Sequence, residues 1–120
     1  MVVDDESRVR ATIAKTLKSE GYEVVEASTG QETLARAKEE WPVLIILDFI
    51  LPDLPGTEVL KQLRADPLTK AIPVLLLTGK PMVASQHPDF QEHSDEILQK
   101  PSSVDELLDR VHRMIVGRKR

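Results

Sequence analysis

Acids, a hydroxyl and an ammonium stand in this chain where apolar runs stop. Asp48 closes the run Val43-Leu44-Ile45-Ile46-Leu47, and Asp4-Asp5-Glu6 follows Met1-Val2-Val3. Thr78 follows Val74-Leu75-Leu76-Leu77, and Lys100 follows Ile97-Leu98-Gln99. Short continuous apolar runs rich in β-branched residues read as strands covered on both faces, as in a parallel sheet. In open α/β sheets, ligands bind at the carboxyl ends of the strands. Carboxylates collected at one such edge repel each other, and a bound cation is the simplest reason to gather them. A hard, all-oxygen donor set suits Mg²⁺, which keeps several waters and takes one or two carboxylates plus a phosphate oxygen. Asp4, Asp5 and Asp48 meet that demand, whereas Glu6 reads as an acid opening a helix, where the positive end of the dipole favours it.

An anion held between such a metal and the Lys100 ammonium, beside the Thr78 hydroxyl, would lie within reach of the Asp48 carboxylate. That is the equipment for phosphoryl transfer to Asp48. Carboxylates do act as nucleophiles that form aspartyl phosphates, and catalysis of this step is mostly positioning and charge neutralisation.

The elements that must position these groups alternate. Val9, Ile13 and Leu17 recur every fourth residue, predicting a helix from about Ser7 to Glu20 that Gly21 ends. Tyr22 to Ala27 reads as a strand. Thr29 with Glu32 forms a capping-box pattern for a helix through Leu34, Ala37 and Trp41, which Pro42 stops. After the Asp48 strand come a Pro/Gly turn and a helix bearing Val59, Leu60 and Leu63. Ile72 to Thr78 is a further strand, and the stretch from Gly79 to Asp95, with Pro81 and Pro88, predicts a short or distorted fourth helix. Glu96 to Gln99 is a fifth strand, and Ser103 with Glu106 caps a last helix striped by Val104, Leu107, Leu108, Val111 and Ile115. A βα unit repeated five times with right-handed crossovers implies an α/β fold built on a doubly wound parallel sheet.

With 120 residues, 41% of them hydrophobic, the chain can bury one core of ordinary size. A formal charge of −4 argues against a nucleic-acid surface, which needs clustered cations. Only Gly117-Arg118-Lys119-Arg120 is basic. The absence of cysteine removes disulfides, thiolate nucleophiles and Cys-type zinc sites, and His87, His93 and His112 have no metal-binding spacing. No apolar stretch is long enough for a membrane anchor or signal peptide, so a cytoplasmic location is expected.

Val3-Asp4-Asp5-Glu6, Leu47-Asp48, Leu51-Pro52-Asp53, Gly56, Leu77-Thr78-Gly79 and Lys100-Pro101, in this order, resemble the receiver domain of two-component response regulators. The resemblance implies a (βα)5 flavodoxin-like fold with a five-stranded parallel sheet of order 2-1-3-4-5, and a receiver domain at residues 1–116 followed by a basic tail or linker start at 117–120. It implies that Asp48 accepts a phosphoryl group from a sensor histidine kinase or phosphotransfer protein. Asp5, Asp48 and the backbone carbonyl of Ile50 would bind Mg²⁺, with Asp4 acting through water. Lys100 and Thr78 would each contact a phosphoryl oxygen, and Lys100-Pro101 is a candidate cis peptide. Catalysis would extend only to the domain's own phosphorylation and dephosphorylation. An output domain or partner protein would engage the face made by the fourth helix, fifth strand and last helix, and the resemblance also allows a homodimer.

Two departures stand against this pattern. Receivers usually carry Tyr or Phe three residues before the lysine; here that residue is Ile97, which is smaller and is expected to sit buried in both signalling states. The first strand is also short. Ile97 and the irregular stretch from Gly79 to Asp95 leave room for a receiver-like interaction module that works without phosphorylation. A small Mg²⁺ phosphatase with an aspartyl nucleophile is a third reading, disfavoured because such enzymes generally want an acid where Ile50 stands.

Overall fold

The computed structural model describes residues 1–79, 96–99 and 103–118. Five strands, β1 (Val2–Val3), β2 (Glu26–Ala27), β3 (Ile45–Asp48), β4 (Val74–Thr78) and β5 (Glu96–Gln99), form one sheet in the order β2-β1-β3-β4-β5. Every pairing is parallel. The described helices are α1 (Ser7–Ser19), α2 (Gly30–Glu40), α3 (Gly56–Ala65) and a last helix, α4 (Val104–Arg118). The expected fourth helix falls outside the described residues.

The continuous apolar runs divide between two cores because successive strand residues face opposite ways. Ile45, Leu47, Val74 and Leu76 join Ala37, Val59, Leu60 and Leu63 of α2 and α3. Ile46, Leu75, Leu77 and Leu98 join Leu17 of α1 and Leu107, Val111 and Met114 of α4. Ile45, Leu47, Leu60, Leu63, Val74, Leu75 and Leu76 are completely inaccessible. Met114 completes the α4 stripe one turn beyond Val111, a place the sequence reading did not give it.

Helix ends follow local chemistry. Gly21, at φ 92°, closes α1 in a left-handed turn. Its N–H donates to the Lys18 carbonyl at 3.0 Å, and the Tyr22 N–H donates to that of Leu17 at 3.1 Å, the paired bonds of a Schellman motif. At α2 the Thr29 hydroxyl oxygen accepts from the Glu32 N–H at 3.1 Å. The reciprocal arm reaches one residue further back than a capping box would: Glu32 Oε1 accepts from the Ser28 N–H at 2.7 Å. Thr29→Ala removes the cap acceptor and is expected to cost about 1 kcal/mol, read as a fall in Tm of about 4 °C.

Three expectations are corrected. β2 is two residues long rather than Tyr22 to Ala27, because its partner β1 offers only Val2 and Val3 for pairing. Trp41 lies past the end of α2, in the left-handed region at φ 45°, and is 67% exposed rather than part of the buried stripe. Pro42 is the cause, since its ring disfavours the helical region for the residue before it. Ile97 is half-buried, packed against the α2/α3 core; it sits on β5, an edge strand with a neighbour on one flank only.

Candidate functional site

The carboxyl ends of β1 and β3 lie side by side, with Val3 in register with Leu47, so Asp4 and Asp48 emerge at one edge. Asp4 is buried and held on several sides. Its N–H donates to the Ala27 carbonyl at 3.2 Å, its Oδ1 accepts from the Glu6 N–H at 3.0 Å, and its carbonyl accepts from Arg10 Nη1 at 2.8 Å. Asp5 is exposed at the start of the turn into α1. Asp48 is 7% accessible, and its Oδ1 accepts from the Ile50 N–H at 3.3 Å.

One oxygen from each of Asp4, Asp5 and Asp48 lies within 4.8 Å of the other two. Opposite ligands of a magnesium ion are separated by about 4.1 Å, so sub-ångström adjustments, or a water in place of one carboxylate, would let this donor set close on Mg²⁺. All-oxygen donors at the mouth of a sheet are the chemistry that ion prefers, and the residues fit it.

The ladder continues past Asp48: the Phe49 N–H donates to the Leu77 carbonyl at 2.9 Å. Asp48 is in register with Leu77, and buried Thr78 is the next residue along β4. Thr78 in turn pairs with Gln99, the last residue of β5. Ile50 is 72% exposed beside the acids. Lys100 and Pro101 lie outside the described residues. The structure thus brings Asp4, Asp5 and Asp48 together and ends the neighbouring strand in Thr78.

The loop from Phe49 to Pro55 folds back on itself. Gly56 N–H donates to the Phe49 carbonyl at 2.7 Å, and Ile50 bridges Pro55. Its tip carries Asp53, whose two carboxylate oxygens accept from the Gly30 and Gln31 N–H groups at 2.7 and 2.9 Å. Those bonds hold the Asp53 carboxyl below its ordinary value. A depressed carboxyl contributes stability that is present above the unfolded-state pKa and is lost as pH falls through the folded one. The Tm difference between wild type and Asp53→Ala is therefore expected to be full at neutral pH and to shrink below about pH 4. Salt should weaken it too, since Asp53 is exposed. Neither the Asp53 cap, whose Gly30 partner lies 23 residues away, nor the bond from Arg10 Nε to Glu26 Oε1, 16 residues away, was foreseen, and no local signal marks them.

Residues 1–112 match the family of response regulator receiver domains. The chain belongs to that family. The receiver domain is 40% identical, over 92% of its length, to the alkaline phosphatase synthesis transcriptional regulatory protein PhoP of Bacillus subtilis, of which it covers 45%. It is 36% identical, over 92% of its length, to the phosphate regulon transcriptional regulatory protein PhoB of Pseudomonas aeruginosa, of which it covers 48%. The receiver domain thus spans about half the length of the curated relatives it matches. Among solved structures, a response regulator from Chloroflexus aurantiacus superposes with a TM-score of 0.87 at 32% identity, covering 96% of this chain and 94% of that one. The chemotaxis response regulator CheY4 of Vibrio cholerae gives 0.80 at 30% identity, with 94% of each chain covered. Receiver domains are signalling modules of two-component systems rather than enzymes acting on a separate metabolite, and phosphorylation on aspartate is standard for them. They work with histidine kinases and output domains, and bind Mg²⁺ at an acidic pocket. Among the described residues, no helix is long and apolar enough to cross a membrane.

Proposed function

We propose that Asp48 is the phosphoryl acceptor of this receiver domain and that phosphorylation shifts its preference between partner-binding states. The observation that carries this reading is the trio of carboxylate oxygens within 4.8 Å, one of them on the nearly buried Asp48 at the end of a central strand. An Asp48 oxygen attacks the phosphorus of a phosphohistidine on a sensor kinase or phosphotransfer protein. The P–N bond breaks, the imidazole nitrogen keeps the electron pair and takes up a proton from solvent, and Asp48 is left as an acyl phosphate. Asp5, Asp48 and the Ile50 carbonyl would hold Mg²⁺, with Asp4 acting through a water; when bound there, the ion neutralises charge on the phosphoryl oxygens. Thr78 donates its hydroxyl to one of those oxygens and Lys100 pairs with another. Water attacking phosphorus later restores the carboxylate and releases phosphate.

In this reading residues 1–116 are the receiver and 117–120 a basic tail or the start of a linker. The domain is cytoplasmic and makes no direct nucleic-acid contact, in keeping with its charge of −4. The decisive experiment is intact mass after incubation with acetyl phosphate. A single phosphoryl adduct that requires Mg²⁺ is expected; a folded protein that takes none would overturn the assignment.

A further inference from the structure

The segment that carries β2 into α2, residues 26–32, holds none of the groups assigned to chemistry. We propose that it is the brace holding both acid-bearing loops, with Arg10 and Asp53 as positioning residues for Mg²⁺ binding, an inference that rests on the reading of Asp4, Asp5 and Asp48 given above.

Two clamps converge there. Arg10 donates through Nη1 to the Asp4 carbonyl at 2.8 Å and through Nε to Glu26 Oε1 at 3.1 Å. It thereby ties the loop of Asp4 and Asp5 to the end of β2, where Asp4 N–H also meets the Ala27 carbonyl. Asp53 does the same for the other loop, taking both the Gly30 and Gln31 N–H groups. The lack of a side chain at Gly30 lets that loop seat closely: a Cβ there would lie 3.0 Å from Leu54 Cβ and 2.9 Å from Val59 Cγ2. Because the loop is closed at its base by the Gly56–Phe49 bond, a shift of its tip is carried to Ile50 and Asp48. The brace is itself tied internally by the Ser28–Glu32 and Thr29–Glu32 bonds.

A part-exposed ion pair such as Arg10–Glu26 adds little to global stability. Loss of the groups that orient metal ligands, by contrast, typically weakens metal binding by about 10-fold or more. The two roles therefore separate experimentally. Mg²⁺ affinity of the whole chain is measured by calorimetric titration, and the adduct rate with acetyl phosphate is followed across Mg²⁺ concentrations. Arg10→Met and Asp53→Ala are each expected to raise the Mg²⁺ dissociation constant and the half-saturating Mg²⁺ about 10-fold, with much smaller changes in the rate at saturating Mg²⁺.

Charge alone predicts otherwise for Arg10. Removing a cation bonded to the acid-bearing loop at Asp4 should tighten Mg²⁺ binding, so weakening in Arg10→Met has the sign that only positioning gives. At the second clamp, Asp53→Asn loses the same charge as Asp53→Ala but keeps an acceptor oxygen, and is expected to recover part of the affinity. It also carries the test if the alanine variant does not fold. Folded variants with unchanged Mg²⁺ dependence, beside a wild type that binds and is phosphorylated, would overturn the inference alone. A wild type that neither binds Mg²⁺ nor takes a phosphoryl group would overturn the reading of the acids and the brace with it.

Discussion

Asp48→Asn is expected to remove the acetyl phosphate adduct completely while leaving a folded protein of equal or higher Tm. The carboxamide has nearly the same shape and keeps an oxygen for the Ile50 N–H, 3.3 Å away in the wild type, so the turn after β3 survives. What disappears is the nucleophile, because an amide oxygen does not form a stable acyl phosphate. The substitution also takes one negative charge from a group of three oxygens within 4.8 Å of each other, which relieves repulsion in the metal-free protein. Loss of adduct with raised or unchanged stability therefore separates chemistry from folding. Intact mass and thermal denaturation on the same samples decide it; an asparagine variant labelled at the wild-type rate would sink the assignment.

Among the described glycines, Gly56→Ala is expected to be the most damaging substitution. A Cβ at Gly56 would lie 2.8 Å from both the Asp48 and Phe49 carbonyl oxygens and 2.9 Å from the Phe49 Cα. Those are backbone atoms at the end of a central strand, and no rotamer change moves them aside. Overpacking of this kind costs about 2–3 kcal/mol, a fall in Tm of roughly 10 °C. The strain falls on the peptide unit that carries Asp48, so phosphoryl acceptance should slow at temperatures where the variant is still folded. Gly79→Ala is the matched control: among the described residues a Cβ there meets nothing within 4 Å, and its stability should stay within about 0.5 kcal/mol of wild type. A Gly56→Ala protein as stable as Gly79→Ala would show that the loop yields without cost.

Much of this architecture was legible in the sequence because its signals are local. Continuous aliphatic runs ending in Asp48 and Thr78 mark central strands, since both faces of a parallel sheet are covered. Gly21 and Thr29 mark helix ends because the left-handed turn and the N-cap each call for a particular residue type. The acids of β1 and β3 could be grouped because parallel strands send their carboxyl ends to one edge. The strand order came from the family resemblance, as alternation alone does not choose among doubly wound orders.

What could not be read depends on partners distant in the chain. The length of β2 is set by the shortness of β1, and the burial of Ile97 by its place on an edge strand. The clamps of Arg10 and Asp53 join residues whose spacing follows no helical or strand period. Trp41 was misplaced for a nearer reason: its apolar character fits the α2 stripe, while the proline after it takes it out of the helix.

The position of Trp41 has a consequence for optical work. It is the only tryptophan, and Tyr22 the only tyrosine, in the chain. Trp41 precedes β3, and Tyr22 lines a small apolar cleft with Val24, Val43 and Leu44, so both chromophores sit where strands begin, at the opposite end of the sheet from the acids. Intrinsic emission is therefore blind to direct quenching by a metal or phosphoryl group at Asp48, and a change in it on phosphorylation would report a rearrangement that had travelled the full length of the strands.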